Sequence, residues 1–232
     1  MNKNKRTYTI IGVVIAATSF LFIRATNGTD KYFSFVKIAA KEENLALPLQ
    51  NAFAIKFPEK ASFAGEDAPL DDAEVRERLD RELTVNAYWQ SSTIMMLKRA
   101  NRFFPTIEKI LKEEGVPDDF KYLCLAESAL DNVVSPAGAA GFWQIMKATG
   151  TQYGLLINDE IDERYNLEKA TRVACRYFKD ANLTSGSWTA AAASYNMGIS
   201  GVMRHQTLQG ETAYYHLWLN SETRRYVPRT IA

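Results

Sequence analysis

The chain has 232 residues, with 28 Lys and Arg against 27 Asp and Glu for a net charge of +1, enough for one packed domain and an extra segment. That balance leaves no electrostatic footprint for nucleic acid. Two histidines, His205 and His216, and two cysteines, Cys124 and Cys175, make no cluster of zinc-ligand spacing, and no glycine-rich loop leads into Lys-Ser or Lys-Thr as a nucleotide site would. Side-chain acid–base chemistry, with neither metal nor cofactor, is what this inventory favours.

Lys3, Lys5 and Arg6 precede an uncharged run over 7–23, which Arg24 closes. The run is about as short as a membrane-spanning helix can be, and the basic flank favours a cytoplasmic N-terminus with the remainder exported. A cleaved signal peptide is the rival reading. Phe22-Ile23-Arg24-Ala25-Thr26 puts a charge where small residues are wanted, and no cysteine follows to take a lipid, so residues 1–24 are expected to stay attached as an anchor. Residues 25–70, with scattered Pro, Gly, Lys and Glu, read as a spacer holding one short helix near 32–40.

Asp71 and Asp72 open a charged helix to about residue 89, with acids in its first turn where the helix dipole favours them. A second helix is expected over 92–104, completing an N-terminal extension over 71–104. Pro105 is expected to start a third helix that stops at Gly115, and with it a main domain over 105–232. Pro117 and Asp118 begin the next, through residue 130. There Phe120, Leu123, Cys124 and Glu127 fall at i, i+3, i+4 and i+7 and share one face. A loop over 131–138 and a short helix over 142–149 follow. Asn166 caps a helix lined by Ala170, Val173, Ala174, Tyr177 and Phe178; Ser187 caps an alanine-rich one over 188–197. The tail over 222–232 reads as helical until Pro228. Strand signals are nearly absent, so the expected fold is mainly α.

Glu127 is the anomaly of this pattern, a carboxylate on an apolar stripe. Desolvation raises a carboxyl pKa, which suits an acid that must keep its proton near neutrality; an arginine-paired structural glutamate is the bland reading. Its neighbours weigh against the bland one. Glu127-Ser128-Ala129-Leu130 is followed by Ser135-Pro136-Ala137-Gly138-Ala139-Ala140-Gly141-Phe142-Trp143-Gln144, then by Ser194-Tyr195-Asn196-Met197-Gly198, then by Arg225-Tyr226-Val227-Pro228. In this order the motifs resemble the lytic transglycosylase and goose-type lysozyme family (glycoside hydrolase family 23, SLT domain). Gly115-Val116-Pro117-Asp118-Asp119-Phe120 also looks like that family's approach to its glutamate. Trp143 before Gln144, and Glu222-Thr223-Arg224 before Arg225, look most like its membrane-bound type D branch. The resemblance covers about 105–232. Ser194 departs from it, standing where alanine is usual.

The resemblance implies a lysozyme-like helical domain, here behind an N-terminal transmembrane helix. It implies a lytic transglycosylase that cuts peptidoglycan glycan strands at the β-1,4 bond between N-acetylmuramic acid and N-acetylglucosamine, leaving 1,6-anhydromuramyl ends. Glu127 would be the sole catalytic acid and base, Ser135 and Gln144 would hold the muramyl sugar, and Tyr195 would hydrogen-bond near the carboxyl. Asn196 would bind substrate and Tyr226 would close the cleft beside the cleaved bond. The bland reading of Tyr195 and Tyr226 is core aromatics with satisfied hydroxyls; Gly138 and Gly141 are read as turn-makers. Trp143 either stacks on sugar or packs in the core. Cys124 and Cys175 are read as buried free thiols, with pairing the alternative. The expected location is the periplasmic face of a bacterial inner membrane, held by the N-terminal helix. A hydrolytic lysozyme with the same Glu127 and a non-catalytic glycan-binding scaffold are the competing functions.

Overall fold

The computed structural model describes residues 54–232. The anchor over 1–24 and most of the spacer lie outside the described residues. Among the described residues, no helix is long and apolar enough to cross a membrane.

The chain enters through a two-stranded antiparallel hairpin, β1 (Ser62–Phe63) and β2 (Glu66–Asp67), with Phe63 opposite Glu66. Helices follow: α1 (Ala73–Tyr88), α2 (Gln90–Glu114), α3 (Phe120–Ser128), α4 (Lys147–Gln152), α5 (Leu167–Ser185), α6 (Trp188–Met197), α7 (Ile199–Gln209), α8 (Ser221–Arg224) and α9 (Tyr226–Ile231). The fold is mainly helical, as the periodicity implied. The two predicted caps are in place, and Asp72, expected to open the first helix with first-turn acids, is a third cap. Asp72 accepts from the Glu74 and Val75 amides, Asn166 from Lys169 and Ser187 from Ala190, each satisfying donors that a first turn leaves orphaned.

Pro105 does not open a helix; it lies inside α2. A proline within a helix forfeits one backbone bond and crowds the preceding turn. The apolar stripe of Ala100, Phe103, Phe104, Ile107 and Leu111 runs unbroken through it, and burial of that stripe against α3 and α5 outweighs the local cost. The helix expected over 142–149 forms later, as α4, because 141–144 are a turn. Pro228 lies inside α9 rather than ending it.

The end of the segment read as spacer is structural. Phe63 is buried against Phe120, with ring centroids 5.1 Å apart. Glu66 caps α6, accepting from the amides of Trp188 at 2.6 Å and Thr189 at 2.9 Å and from the Thr189 hydroxyl at 2.6 Å. A carboxylate there meets both free amides and the positive end of the helix dipole.

That helix is the centre of the domain. Ala190, Ala191, Ala192 and Ala193 are fully buried, and their small side chains let α5, α7 and α9 pack around α6. Beside it Phe120, Phe178, Trp143 and Tyr195 form a chain of tilted and edge-on rings. This aromatic wall backs the region where α3 ends.

Candidate active site

Glu127 lies in the last turn of α3, one turn beyond the buried Phe120, Leu123 and Cys124 that root the helix. The chain leaves α3 through two consecutive left-handed residues, Ala129 at φ 52° and Leu130 at φ 54°. Each costs about 1–2 kcal/mol for a residue with a Cβ, and such strain persists where surrounding structure over-determines it. Here Leu130 is buried, the Arg99 guanidinium donates to the Ala129 carbonyl at 3.2 Å, and it pairs with Asp131 at 2.8 Å. The abrupt exit leaves the Glu127 carboxyl at the mouth of the helix end rather than under a further turn.

The loop over 131–146 is a hydrogen-bonded platform. The Ser135 amide donates to the Ala139 carbonyl, and the Ser135 hydroxyl accepts from the Ala139 amide at 3.1 Å. Gln144, a third left-handed non-glycine residue at φ 48°, donates its amide nitrogen to the Val133 and Gly141 carbonyls at 3.0 and 2.8 Å. Its Oε1 is therefore the end left to accept. From beneath, the nearly buried Arg164 guanidinium donates to Gly138 at 2.9 Å and Ile145 at 3.1 Å while Asp162 holds it. Gly141 has φ 80°, and a Cβ there would stand 2.0 Å from the Arg164 carbonyl oxygen. Close backbone approach, as well as turn geometry, requires glycine at this position. Trp143 is wholly buried and its Nε1 donates to the Thr171 hydroxyl at 2.8 Å, so it is core and not a sugar platform.

Tyr226 reaches the site from α9. It is 3% exposed, and its hydroxyl donates to Glu127 Oε1. The structure thus joins directly two residues that stand 99 positions apart in sequence. Tyr195 lies in the same neighbourhood, but its hydroxyl donates to the Trp143 carbonyl at 2.7 Å and not to the carboxylate. Asn196 sits between two groups of α8. Its Nδ2 donates to Glu222 at 3.3 Å and its Oδ1 accepts from the Thr223 hydroxyl at 2.6 Å. Glu222, Thr223 and Arg229 were not singled out from sequence as site residues; their only signal was the motif run around Tyr226.

Burial pushes the Glu127 carboxyl above the usual carboxylate range. The Tyr226 hydroxyl and the Arg229 charge pull it back, and the Glu222 charge pushes it further up. Burial and the Glu127 charge hold the Tyr226 phenol well above its ordinary value, so it keeps its proton and donates. The outcome is a carboxyl that resists ionisation beside a donor oriented toward its ionised form, the two states an alternating acid and base must visit. Among the described residues, no cluster of three or more His, Cys, Asp or Glu could hold a metal ion. Cys124 and Cys175 are buried free thiols, and the Cys124 thiol donates to the Phe142 carbonyl.

Residues 104–218 match the family described as Transglycosylase SLT domain. The chain is 29% identical over 180 residues to membrane-bound lytic murein transglycosylase D of Escherichia coli strain K12, an alignment covering 74% of this chain and 39% of that protein. The protein of the same name from Escherichia coli O6:H1 strain CFT073 matches equally. The chain thus spans about two fifths of the length of these relatives. Glu127, the loop platform, Tyr195 and Asn196 all lie inside the matched segment, whereas Tyr226 lies beyond it. Residues 104–218 thus resemble a transglycosylase SLT domain, and over 180 residues the chain is similar to a membrane-bound lytic murein transglycosylase.

Proposed function

We propose that this protein is a peptidoglycan lytic transglycosylase in which Glu127 is both acid and base. The observation that carries the reading is the Glu127 carboxyl itself, withdrawn from water, held above its usual range and met by the Tyr226 hydroxyl. Protonated Glu127 gives its proton to the oxygen bridging N-acetylmuramic acid and N-acetylglucosamine, and the bond from that oxygen to the muramyl C1 breaks. The substrate's N-acetyl group stabilises the positive C1. Ionised Glu127, steadied by Tyr226, then takes the proton of the muramyl C6 hydroxyl as its oxygen bonds to C1. The product is a 1,6-anhydromuramyl end, and Glu127 is protonated again. One residue reversing its role is what retaining chemistry requires.

In this reading the domain is lysozyme-like, and the platform carrying Ser135 and Gln144 forms the muramyl side of the cleft. The Gln144 carbonyl oxygen accepts from sugar hydroxyls, Asn196 contacts the opposite sugar, and Tyr226 lies over the cleaved bond. The names of the relatives, membrane-bound and acting on murein, support an envelope location. Residues 1–24 would hold the domain on the periplasmic face of the inner membrane. A mature N-terminus beyond residue 24 on a protein free in periplasmic extracts would overturn the anchor.

Mass spectrometry of the products from purified sacculi tests the chemistry. Anhydro-muropeptides, lighter by one water than hydrolysis products, are expected. Glu222 is a second carboxylate whose charge bears on Glu127 and which accepts from Asn196; a second carboxylate is the feature that would favour water as the attacking group. Reducing muropeptides as the main product would select that hydrolytic reading.

A further inference from the structure

Outside the family-matched segment, α1 carries a carboxylate that the chemistry above does not use. Glu82 is 2% exposed. Its Oε1 accepts from Arg225 Nε at 2.5 Å, Arg229 Nε stands 3.6 Å from its Oε2, and Arg81 Nη1 stands 3.7 Å from its Oε1. Arg225 and Arg229 bracket Tyr226 at i−1 and i+3, and α9 packs on α1, α3 and α6. One buried anion therefore holds two cations of the segment that delivers the Tyr226 hydroxyl to Glu127. A well-packed apolar side chain would stabilise such a seam as well as a buried ion pair does; an anion there does something an apolar residue cannot, which is to balance the arginine charge.

We infer that Glu82 is a positioning residue for the Glu127 centre: by clamping Arg225 and Arg229 it sets α9 so that the Tyr226 hydroxyl meets Glu127, and it holds the Arg229 charge back from that carboxyl. The inference rests on the proposed role of Glu127. The charged or titratable groups facing Glu127 are Tyr226 and Arg229 from α9, Glu222 from α8, Tyr195 from α6 and Cys124 from its own helix. Of these, Arg229 is the one that Glu82 pairs with. With Glu82 neutralised, Arg229 acts on Glu127 uncompensated, favours its ionised form and depletes the protonated acid as pH rises.

The test is a titration of the Glu127 side-chain carbon by nuclear magnetic resonance on the full chain in detergent micelles, assigned with Glu127→Gln, beside the pH profile of anhydro-muropeptide release from sacculi. Glu82→Gln is expected to lower the Glu127 midpoint by about one pH unit, the low end for a neighbouring opposite charge. The alkaline limb of the rate profile should move with it, and kcat should fall about tenfold with KM little changed. Arg229→Gln should move the midpoint upward, and the double variant should return it near the wild-type value. A loosened α9 that merely admits water would leave the double variant shifted, and that result overturns the inference, as does an unmoved midpoint in Glu82→Gln. Should Glu82→Gln fail to fold, Glu82→Asp decides: it keeps the charge on a shorter arm, so the wild-type midpoint with a lowered kcat is expected, and an unchanged kcat overturns the inference. The midpoint is read without turnover, so a failure of the proposed activity shows itself separately, as anhydro-product release by Glu127→Gln.

Discussion

Two glutamates are withdrawn from water on either hand of the C-terminal segment, and their surroundings differ in kind. Glu82 has three arginines within 3.7 Å, so its charge is answered where it sits. Glu127 has a tyrosine hydroxyl for its direct partner and a more distant arginine, with a second carboxylate opposing that arginine. Burying a charge is costly unless it is paired and hydrogen-bonded. The first environment is an ion-pair cluster, a structural setting for a carboxylate. The second leaves part of the desolvation cost unanswered, and the carboxyl meets it by holding its proton, which is the property an acid catalyst uses. Glu82 is the more fully buried of the two, yet it is Glu127 whose carboxyl is pushed up; the partner decides.

The sharpest way to break this comparison is to neutralise each glutamate in turn. Glu127→Gln is expected to remove anhydro-muropeptide release by at least about 10²–10⁴-fold, since in the proposed mechanism both proton transfers pass through that carboxyl; mass spectrometry of sacculus digests reads it. The same variant should fold normally and gain stability over wild type as pH rises. The sign follows from Glu127 being raised above its ordinary 4.5. The stability contributed by its tight proton is fully present below 4.5 and is lost as pH rises through the folded-state value. Denaturant unfolding at a series of pH values should show the gap opening across that window. Glu82→Gln should do the reverse, losing about 2–3 kcal/mol near neutral pH because its arginines are left without their counter-charge; the partial exposure of Arg225 and Arg229 keeps the loss below that of a fully buried pair. Equal responses of the two variants in unfolding would dissolve the distinction.

Smaller effects sharpen it. Tyr226→Phe removes a donor that favours ionised Glu127, so the alkaline limb of the rate profile should move to higher pH while the rate falls about tenfold, a hydrogen bond to a charged group being worth about 1.5–3 kcal/mol. Asn196→Ala has the least to lose. Its bonds tie Glu222 and Thr223 to α6, and their removal should slow release by about threefold to tenfold, near 1 kcal/mol, with the pH limbs in place.

Much of this was legible before any coordinates. Asp72, Asn166 and Ser187 announced their helices because capping chemistry is local. Glu127 announced itself by standing on the stripe of Phe120, Leu123 and Cys124. Pro105 misled, because a local helix-breaking preference was set against a long buried stripe whose partners, α3 and α5, lie elsewhere in the chain. Phe63 and Glu66 were hidden in a segment of mixed composition, since their partners, Phe120 and the start of α6, are tens of residues away. Glu82 was the least visible. It stands among other charged residues in α1, where a charge run ordinarily means a solvated face, and only the packing of α9 on α1 buries it.

By itself the sequence determined the helical periodicity, the caps, the family motifs and the carboxylate that stands on an apolar face, all properties of residues within a few turns of one another. Only the tertiary structure decided which polar groups are spent on the loop platform, as at Ser135 and Gln144, and that Trp143 belongs to the core. It alone brought Tyr226 across 99 positions to Glu127 and gave Glu82, rather than Glu127, the arginines. The reason is physical. Desolvation and pairing depend on what surrounds a charge in space, and two glutamates of identical intrinsic chemistry become different groups only when the chain has closed around them.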